Sequence, residues 1–153
     1  MEIWNRKNVT VKSFNFRGCM TGIRLTNSTN IVIAGNNFTY NNVAIVLNES
    51  HNSTIIGNNV INNYGYDEGH RVTCNAIIIF GDNNLMTKNN IRLNNRGIFI
   101  DFDVRTGKTS YGNRIIMNYI ASNKNYGIYL SSNYNATVVG NIIANNKYGV
   151  MVG

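Results

Sequence analysis

The feature that most constrains this chain is a segment that repeats along almost its whole length. The stretch from Ile31 to Phe38 recurs from Ser53, Asn84 and Asn113 and again from Ala136, with a degenerate first copy from Val9. The steps between copies are 22, 22, 31, 29 and 23 residues. A unit this short cannot bury its own inner face, so neighbouring units must stack on one another to form a continuous core.

Equivalent positions in the copies form four apolar columns. The apolar runs are short, rich in β-branched residues and separated by Asn and Gly, which is typical of strands and turns. They predict an all-β, right-handed parallel β-helix (a solenoid) of about six coils, open at both ends, as a single domain over residues 1–153. The columns are Val11, Ile33, Ile55, Met86, Ile115, Val138; Phe16, Phe38, Val60, Ile91, Ile120, Ile143; Ile23, Ile45, Ile77, Ile98, Ile128, Val150; and Leu25, Leu47, Ile79, Ile100, Leu130, Val152.

Two further columns consist of asparagine. Stacked amides can hydrogen-bond along a stack, and asparagine tolerates left-handed turns. We therefore interpret these columns as structural ladders rather than as a polar binding surface. Their members are Asn36, Asn58, Asn89, Asn118, Asn141 and, after Cys19, Asn41, Asn63, Asn94, Asn123, Asn146.

Two long coils carry insertions, at 64–75 and 101–111, and insertions on a repeat scaffold often form its binding face. Five of the seven acidic residues lie in or beside them. Asp82 and Asp103 are expected at the same coil position, one coil apart, where they would bind Ca²⁺ or act as general acid and base. The alternative is that both only cap turns. The candidate catalytic residues are Tyr64, Asp67, His70, Asp82, Asp101, Asp103, Arg105 and Lys108.

A second candidate site is aromatic. Between the third and fourth apolar columns lies an outward position, and the chain places Phe99, Tyr126, Tyr129 and Tyr148 at or near it. Flat rings suit stacking on sugars while their polar edges stay wet. These rings, together with Arg71, are the predicted carbohydrate-binding residues. The alternative is that the strip contacts another subunit or another part of a longer chain.

The chain has a formal charge of +7 and a pI of about 9.6, which favours an anionic partner. The basic residues are scattered, so nucleic acid is not predicted, and no stretch is long enough to insert into a membrane. Cys19 and Cys74 lie two coils apart and are not expected to form a disulfide. His51 and His70 are far apart in the repeat and Met86 lies in a core column, so no copper-type ligand cluster is evident.

The phrases Asn125 to Ser132 and Val138 to Asn141 resemble the repeats of the NosD-like and carbohydrate-binding/sugar-hydrolysis families of parallel β-helices, in the pectin-lyase-like superfamily. The resemblance covers roughly residues 8–153 and implies a scaffold shared by lyases, hydrolases, epimerases and surface proteins. The segment 64–70 also resembles the Tyr-Gly-Phe-Asp-Pro-His motif of alginate C5-epimerases. That motif would make Tyr64, Asp67 and His70 a site, although this chain lacks the proline and places the histidine one residue later.

We therefore expect a carbohydrate-recognising module for an acidic polysaccharide. The alternatives are a uronan lyase or C5-epimerase-like enzyme that uses the two insertions, and a structural or assembly module without catalysis. We expect an extracellular, cell-surface or periplasmic location as part of a longer protein. The stack ends are expected to be covered by the rest of a longer chain or by another subunit, because bare ends would expose sheet edges and core.

Overall fold

The structure is a computed structural model, and it describes residues 1–64, 74–102 and 106–153. Five of the predicted site residues lie outside the described residues: Asp67, His70, Arg71, Asp103 and Arg105. Within the described part every strand pairing is parallel, and the chain winds as a right-handed β-helix whose successive turns supply successive strands to the same sheets. The predicted fold class is confirmed.

Three stacked sheets form the walls of the solenoid. Sheet 1 has the longest strands: β1 (Glu2–Trp4), β4 (Thr21–Thr26), β7 (Val43–Asn48), β10 (Asn75–Phe80), β13 (Arg96–Ile100), β17 (Tyr126–Leu130) and β21 (Tyr148–Val152). Sheet 2 contains β2 (Thr10–Lys12), β5 (Val32–Ala34), β8 (Thr54–Ile56), β11 (Leu85–Thr87), β15 (Arg114–Ile116) and β19 (Thr137–Val139). Sheet 3 contains β3 (Asn15–Arg17), β6 (Asn37–Thr39), β9 (Asn59–Ile61), β12 (Asn90–Arg92), β16 (Tyr119–Ala121) and β20 (Ile142–Ala144). A short pair, β14 (Ser110–Tyr111) and β18 (Asn133–Tyr134), adds to one corner.

The register of the sheets reproduces the predicted apolar columns. Ile45 pairs with Ile77, and Ile33 pairs with Ile55. Like side chains therefore lie over like along the stack, and most of the column residues form one buried cluster. Phe38 is fully buried, with its ring stacked on that of Phe16 at a centroid distance of 4.9 Å. Each coil thus buries its inner face only by contact with its neighbours, as the short repeat requires.

The two asparagine columns are hydrogen-bonded ladders, which confirms their structural interpretation. In a typical rung, the Asn58 backbone N–H and side-chain Nδ2 both donate to Asn89 Oδ1, at 2.9 and 3.0 Å. Asn58 Nδ2 also donates to the Ile33 carbonyl of the preceding coil at 2.9 Å. The same pattern links Asn63 to Asn94. These amides are buried and fully engaged, so they hold coils together and leave no surface for a ligand.

The turns between sheets account for several further asparagines. Asn8, Asn30, Asn52 and Asn83 occupy equivalent corners, each with a φ between 52° and 58°. Asparagine is one of the few side chains that adopts this left-handed conformation at low cost. Cys19 and Cys74 are not joined by a disulfide, in agreement with the sequence-based expectation. In the part of the chain that the structure describes, no helix is long and apolar enough to span a bilayer.

Candidate functional site

Two concave surfaces lie along sheet 1, one near each edge. The larger is a groove of about 620 Å³ beside the ends of β7 and β10. The smaller is a pocket of about 270 Å³ over β13 and β17. The groove is lined by Asn27, Glu49, His51, Phe80, Gly81, Asp82, Thr106, Gly107, Lys108 and Thr109, and the pocket by Arg96, Phe99, Asn125, Tyr126, Tyr129 and Met151.

The groove contains a histidine–carboxylate pair that stacking creates. Thr29 bridges to His51 in the next coil, and Asp82 follows in the coil after that. The Asp82 backbone N–H donates to His51 Nδ1 at 3.0 Å, and Asp82 Oδ2 lies 3.3 Å from the same nitrogen. Asp82 Oδ1 accepts the Tyr111 N–H at 2.9 Å. Asp82 therefore fixes the imidazole ring while the next coil fixes Asp82.

The expectation that Asp82 and Asp103 share a coil position stays a prediction. The residue stacked on Asp82 in the next coil is Tyr111, as the Tyr111 N–H bond and the Asn83 N–H bond to the Tyr111 carbonyl show. Asp103 itself lies outside the described residues, so the proposed Ca²⁺ ligation by this pair remains a prediction.

The other predicted catalytic residues are spread over both edges of sheet 1. Lys108 lines the groove with Asp82, whereas Asp101 uses its Oδ1 to accept the Phe102 N–H at 2.8 Å, as a turn-capping aspartate does. Tyr64 precedes β10 and lies under the Lys124 ammonium, 4.6 Å from its ring centroid. Tyr64 lies before β10 and Asp82 lies after it. The strand is six residues long, roughly 20 Å, so the two residues do not share a site.

The smaller pocket is built from three clustered rings. Phe99 and Tyr129 are paired in register, with ring centroids 5.4 Å apart. Tyr126 packs edge-on against Tyr129, also at 5.4 Å. The Arg96 guanidinium lies 5.6 Å from the Tyr126 ring centroid, and its Nε is buried without a hydrogen-bond partner among the described residues. The pocket therefore combines an apolar wall with one cationic group.

Three members of the predicted aromatic strip, Phe99, Tyr126 and Tyr129, lie together, but Tyr126 is buried rather than exposed. Only 5% of Tyr126 is exposed, and its hydroxyl donates to Asn75 Oδ1. Phe99 and Tyr129 are half-buried. Tyr148 pairs with Tyr126 in register and is exposed, but it is not among the residues that line the pocket. The burial of Tyr126 could not be predicted from the sequence. The equivalent position in β10 is the polar residue Asn75, and its Oδ1 accepts the hydrogen bond of the buried Tyr126 hydroxyl.

Burial raises the pKa of Tyr126 to about 12, and the positive charge of Arg96 offsets part of the rise. A phenol in the unfolded chain ionises near pH 10. The protonated ring therefore contributes stability that is fully present below about pH 10 and is lost as the pH rises to about 12. We expect the stability advantage of the wild type over Tyr126→Phe to shrink by about 2 kcal/mol across this window. Denaturant unfolding at fixed pH values measures the advantage, and one that stays constant would contradict the assignment.

The described residues do not form a copper site. Copper favours clustered imidazole, thiolate and thioether ligands. Met86 is buried in the core, Cys74 is buried at the start of β10, and His51 has its Nδ1 directed at Asp82. Over residues 1–64, 74–102 and 106–153 there is no group of three or more His, Cys, Asp or Glu side chains that would hold a metal ion.

The stacked parallel sheets, the asparagine ladders and the two concavities along sheet 1 define a right-handed parallel β-helix protein of the solenoid class. The family model described as NosD, periplasmic copper-binding protein, matches residues 1–153. The chain therefore belongs to the NosD family. No curated protein and no solved structure shows significant similarity to the chain.

Proposed function

We propose that this NosD-family β-helix recognises a glycan that carries acidic sugars, and that it binds the acidic unit in the pocket over β13 and β17. The observation that carries the proposal is the buried Arg96 Nε, which lacks a partner in the described structure and lies beside clustered aromatic rings. A buried polar atom without a hydrogen bond costs roughly 1–3 kcal/mol, and a ligand carboxylate that reaches the guanidinium would recover part of that cost.

The remaining lining residues fit the same ligand. The rings of Phe99 and Tyr129 present flat apolar surface of the kind on which sugar rings stack. Asn125 supplies an amide that can donate to and accept from hydroxyl groups. The net charge of +7 favours approach of an anionic polymer over the whole surface. The family is described as periplasmic, and we accordingly place the chain in the periplasm or outside the cell.

The test is a pair of tyrosine variants. We expect Tyr129→Ala to weaken binding of an oligogalacturonate by at least about tenfold, because the stacking surface is lost; this corresponds to about 1.4 kcal/mol. Tyr134→Ala is the matched control, since Tyr134 is 65% exposed and lies outside the pocket, and it should bind as the wild type does. Isothermal titration calorimetry gives both affinities. Equal losses in the two variants would exclude the pocket.

Arg96 sets the preference for acidic sugar in this proposal. Arg96→Gln keeps most of the side-chain length but removes the charge, so the affinity for oligogalacturonate should approach that for a neutral oligosaccharide of equal length. The salt dependence of binding should also weaken, because screening acts on charged pairs. An unchanged acidic preference would contradict the role of Arg96.

We also propose, from a separate observation, that the last coil associates with a β-helix coil of another subunit. Val150 and Val152 continue core columns yet are 46% and 80% exposed. Apolar columns beside a free sheet edge favour association. We expect the 153-residue chain to self-associate as its concentration rises, and sedimentation velocity measures this. A monomer at all concentrations would count against the proposal.

A further inference from the structure

The groove that holds His51 differs chemically from the pocket that holds Arg96. His51 has its Nδ1 occupied by the Asp82 backbone N–H, so the neutral ring carries its proton on Nε2, on the far side of the ring. The side chain is 39% exposed and lines the groove. The groove, whose volume is about 620 Å³, therefore has a fixed N–H donor in its wall.

The charges of the groove nearly cancel. Among its described lining residues, the Asp82 carboxylate lies with the Lys108 ammonium, and the Glu49 carboxylate already takes part in an interaction of its own. An anionic ligand would therefore meet the Asp82 carboxylate, whereas the described lining of the pocket holds Arg96 and no carboxylate. The groove does not select for negative charge.

The polar groups of the groove suit hydroxyl groups instead. The Asp82 carboxylate retains acceptor capacity after its bond to Tyr111, because a carboxylate offers about four lone-pair sites. Asn27 and Thr109 add short donors and acceptors, and Phe80 contributes one ring face. Alternating donors and acceptors beside a single aromatic ring are the groups needed to bind a polyhydroxylated ring.

From these observations we propose that the groove is a second saccharide site, that it binds a neutral, hydroxyl-bearing sugar ring, and that His51 Nε2–H donates to one of its hydroxyls. The preferred ligand is then a heteroglycan, with an acidic sugar for the pocket and a neutral sugar for the groove. The heteroglycan rests on the proposed function of the pocket, whereas the neutral sugar in the groove does not.

The discriminating variant is His51→Asn. The asparagine Oδ1 falls close to the place of the imidazole Nδ1, so it can still accept the Asp82 N–H, while the Nε2 donor is removed. The two probes are a neutral cello-oligosaccharide and an oligogalacturonate of equal length. We expect His51→Asn to weaken binding of the neutral probe at least tenfold and to leave the acidic probe unaffected. Tyr129→Ala should do the reverse.

A measurement on the unmodified chain covers the case in which His51→Asn fails to fold. The chain has two histidines, so its ¹⁵N imidazole spectrum is simple. The His51 Nε2–H resonance should shift on titration with the neutral probe and stay in place with the acidic probe.

Each result decides one proposal. A neutral probe that does not bind, that binds equally well to His51→Asn, or that competes with the acidic probe would overturn the groove site. Binding of the neutral probe that depends on His51, without any binding of the acidic probe, would keep the groove site and reject the pocket. Binding of the acidic probe alone would do the opposite.

Discussion

Asn89→Ala should destabilise the solenoid by about 4 kcal/mol, because it removes the hydrogen bonds that its side chain makes with buried polar groups of the preceding coil. The Asn89 side chain accepts the Asn58 N–H at 2.9 Å and donates to the Ile55 carbonyl at 2.8 Å. Asn89 is 1% exposed, so water cannot replace either bond without opening the stack. The loss is a large part of the 5–15 kcal/mol that stabilises a typical domain.

The matched control for this variant is Asn59→Ala. Asn59 also belongs to a stacked amide row, donating to Asn37 Oδ1 at 3.0 Å, but it is exposed. Water can replace that bond, so we expect a loss below about 1 kcal/mol. Urea unfolding followed by circular dichroism gives both values. If the two variants lost the same stability, burial of the ladder would not be the source of its strength.

Gly97→Ala should cost about 3 kcal/mol or prevent folding. A Cβ at Gly97 would fall inside van der Waals contact of the Gly127 carbonyl oxygen. That oxygen belongs to the neighbouring strand β17, so it cannot move without disturbing the pairing of Ile98 with Ile128. A contact with backbone in a packed stack is relieved only by separating coils.

Gly149→Ala tests the same substitution in the same column without the clash. There the nearest atom to an added Cβ is Ile143 Cγ2, at the ordinary contact distance of 3.8 Å. Because alanine loses less backbone entropy than glycine on folding, the variant should be neutral or more stable by up to about 1 kcal/mol. Thermal unfolding of both variants measures the contrast. Similar melting temperatures would show that the column tolerates a methyl group throughout.

The fold could be predicted from the sequence because each coil repeats the same chemistry. Ile45 and Ile77 recur at a fixed place in the unit, and parallel in-register stacking converts that place into contact. The asparagine ladders followed for the same reason: Asn58 and Asn89 carry the same amide at the same rung. The positions of the strands, the ladders and the core could therefore be predicted from this one sequence, without an alignment of relatives.

The candidate sites were less readable, because they lie where the repeat is interrupted. The pairing of His51 with Asp82 was not predicted. The copies at Ser53 and Asn84 are 31 residues apart, and the same spacing separates His51 from Asp82, so the two occupy equivalent positions in successive coils. The sequence instead suggested Asp103 as the partner of Asp82, and Asp103 lies outside the described residues. Burial of Tyr126 depends on Asn75 and Arg96 from different coils.

The ladders give the solenoid a direction. Every rung points the same way: Asn94 Oδ1 accepts from Asn63, and Asn123 Oδ1 accepts from Asn94. Each amide carbonyl thus faces the coil before it, and each side-chain amide also donates to the carbonyl of the next amide in the coil after it, so the amide dipoles add along the axis. A coil placed upside down on this stack would set carbonyl against carbonyl. The molecule therefore has two chemically different poles, and any β-helix that extends it must approach in one orientation, head to tail.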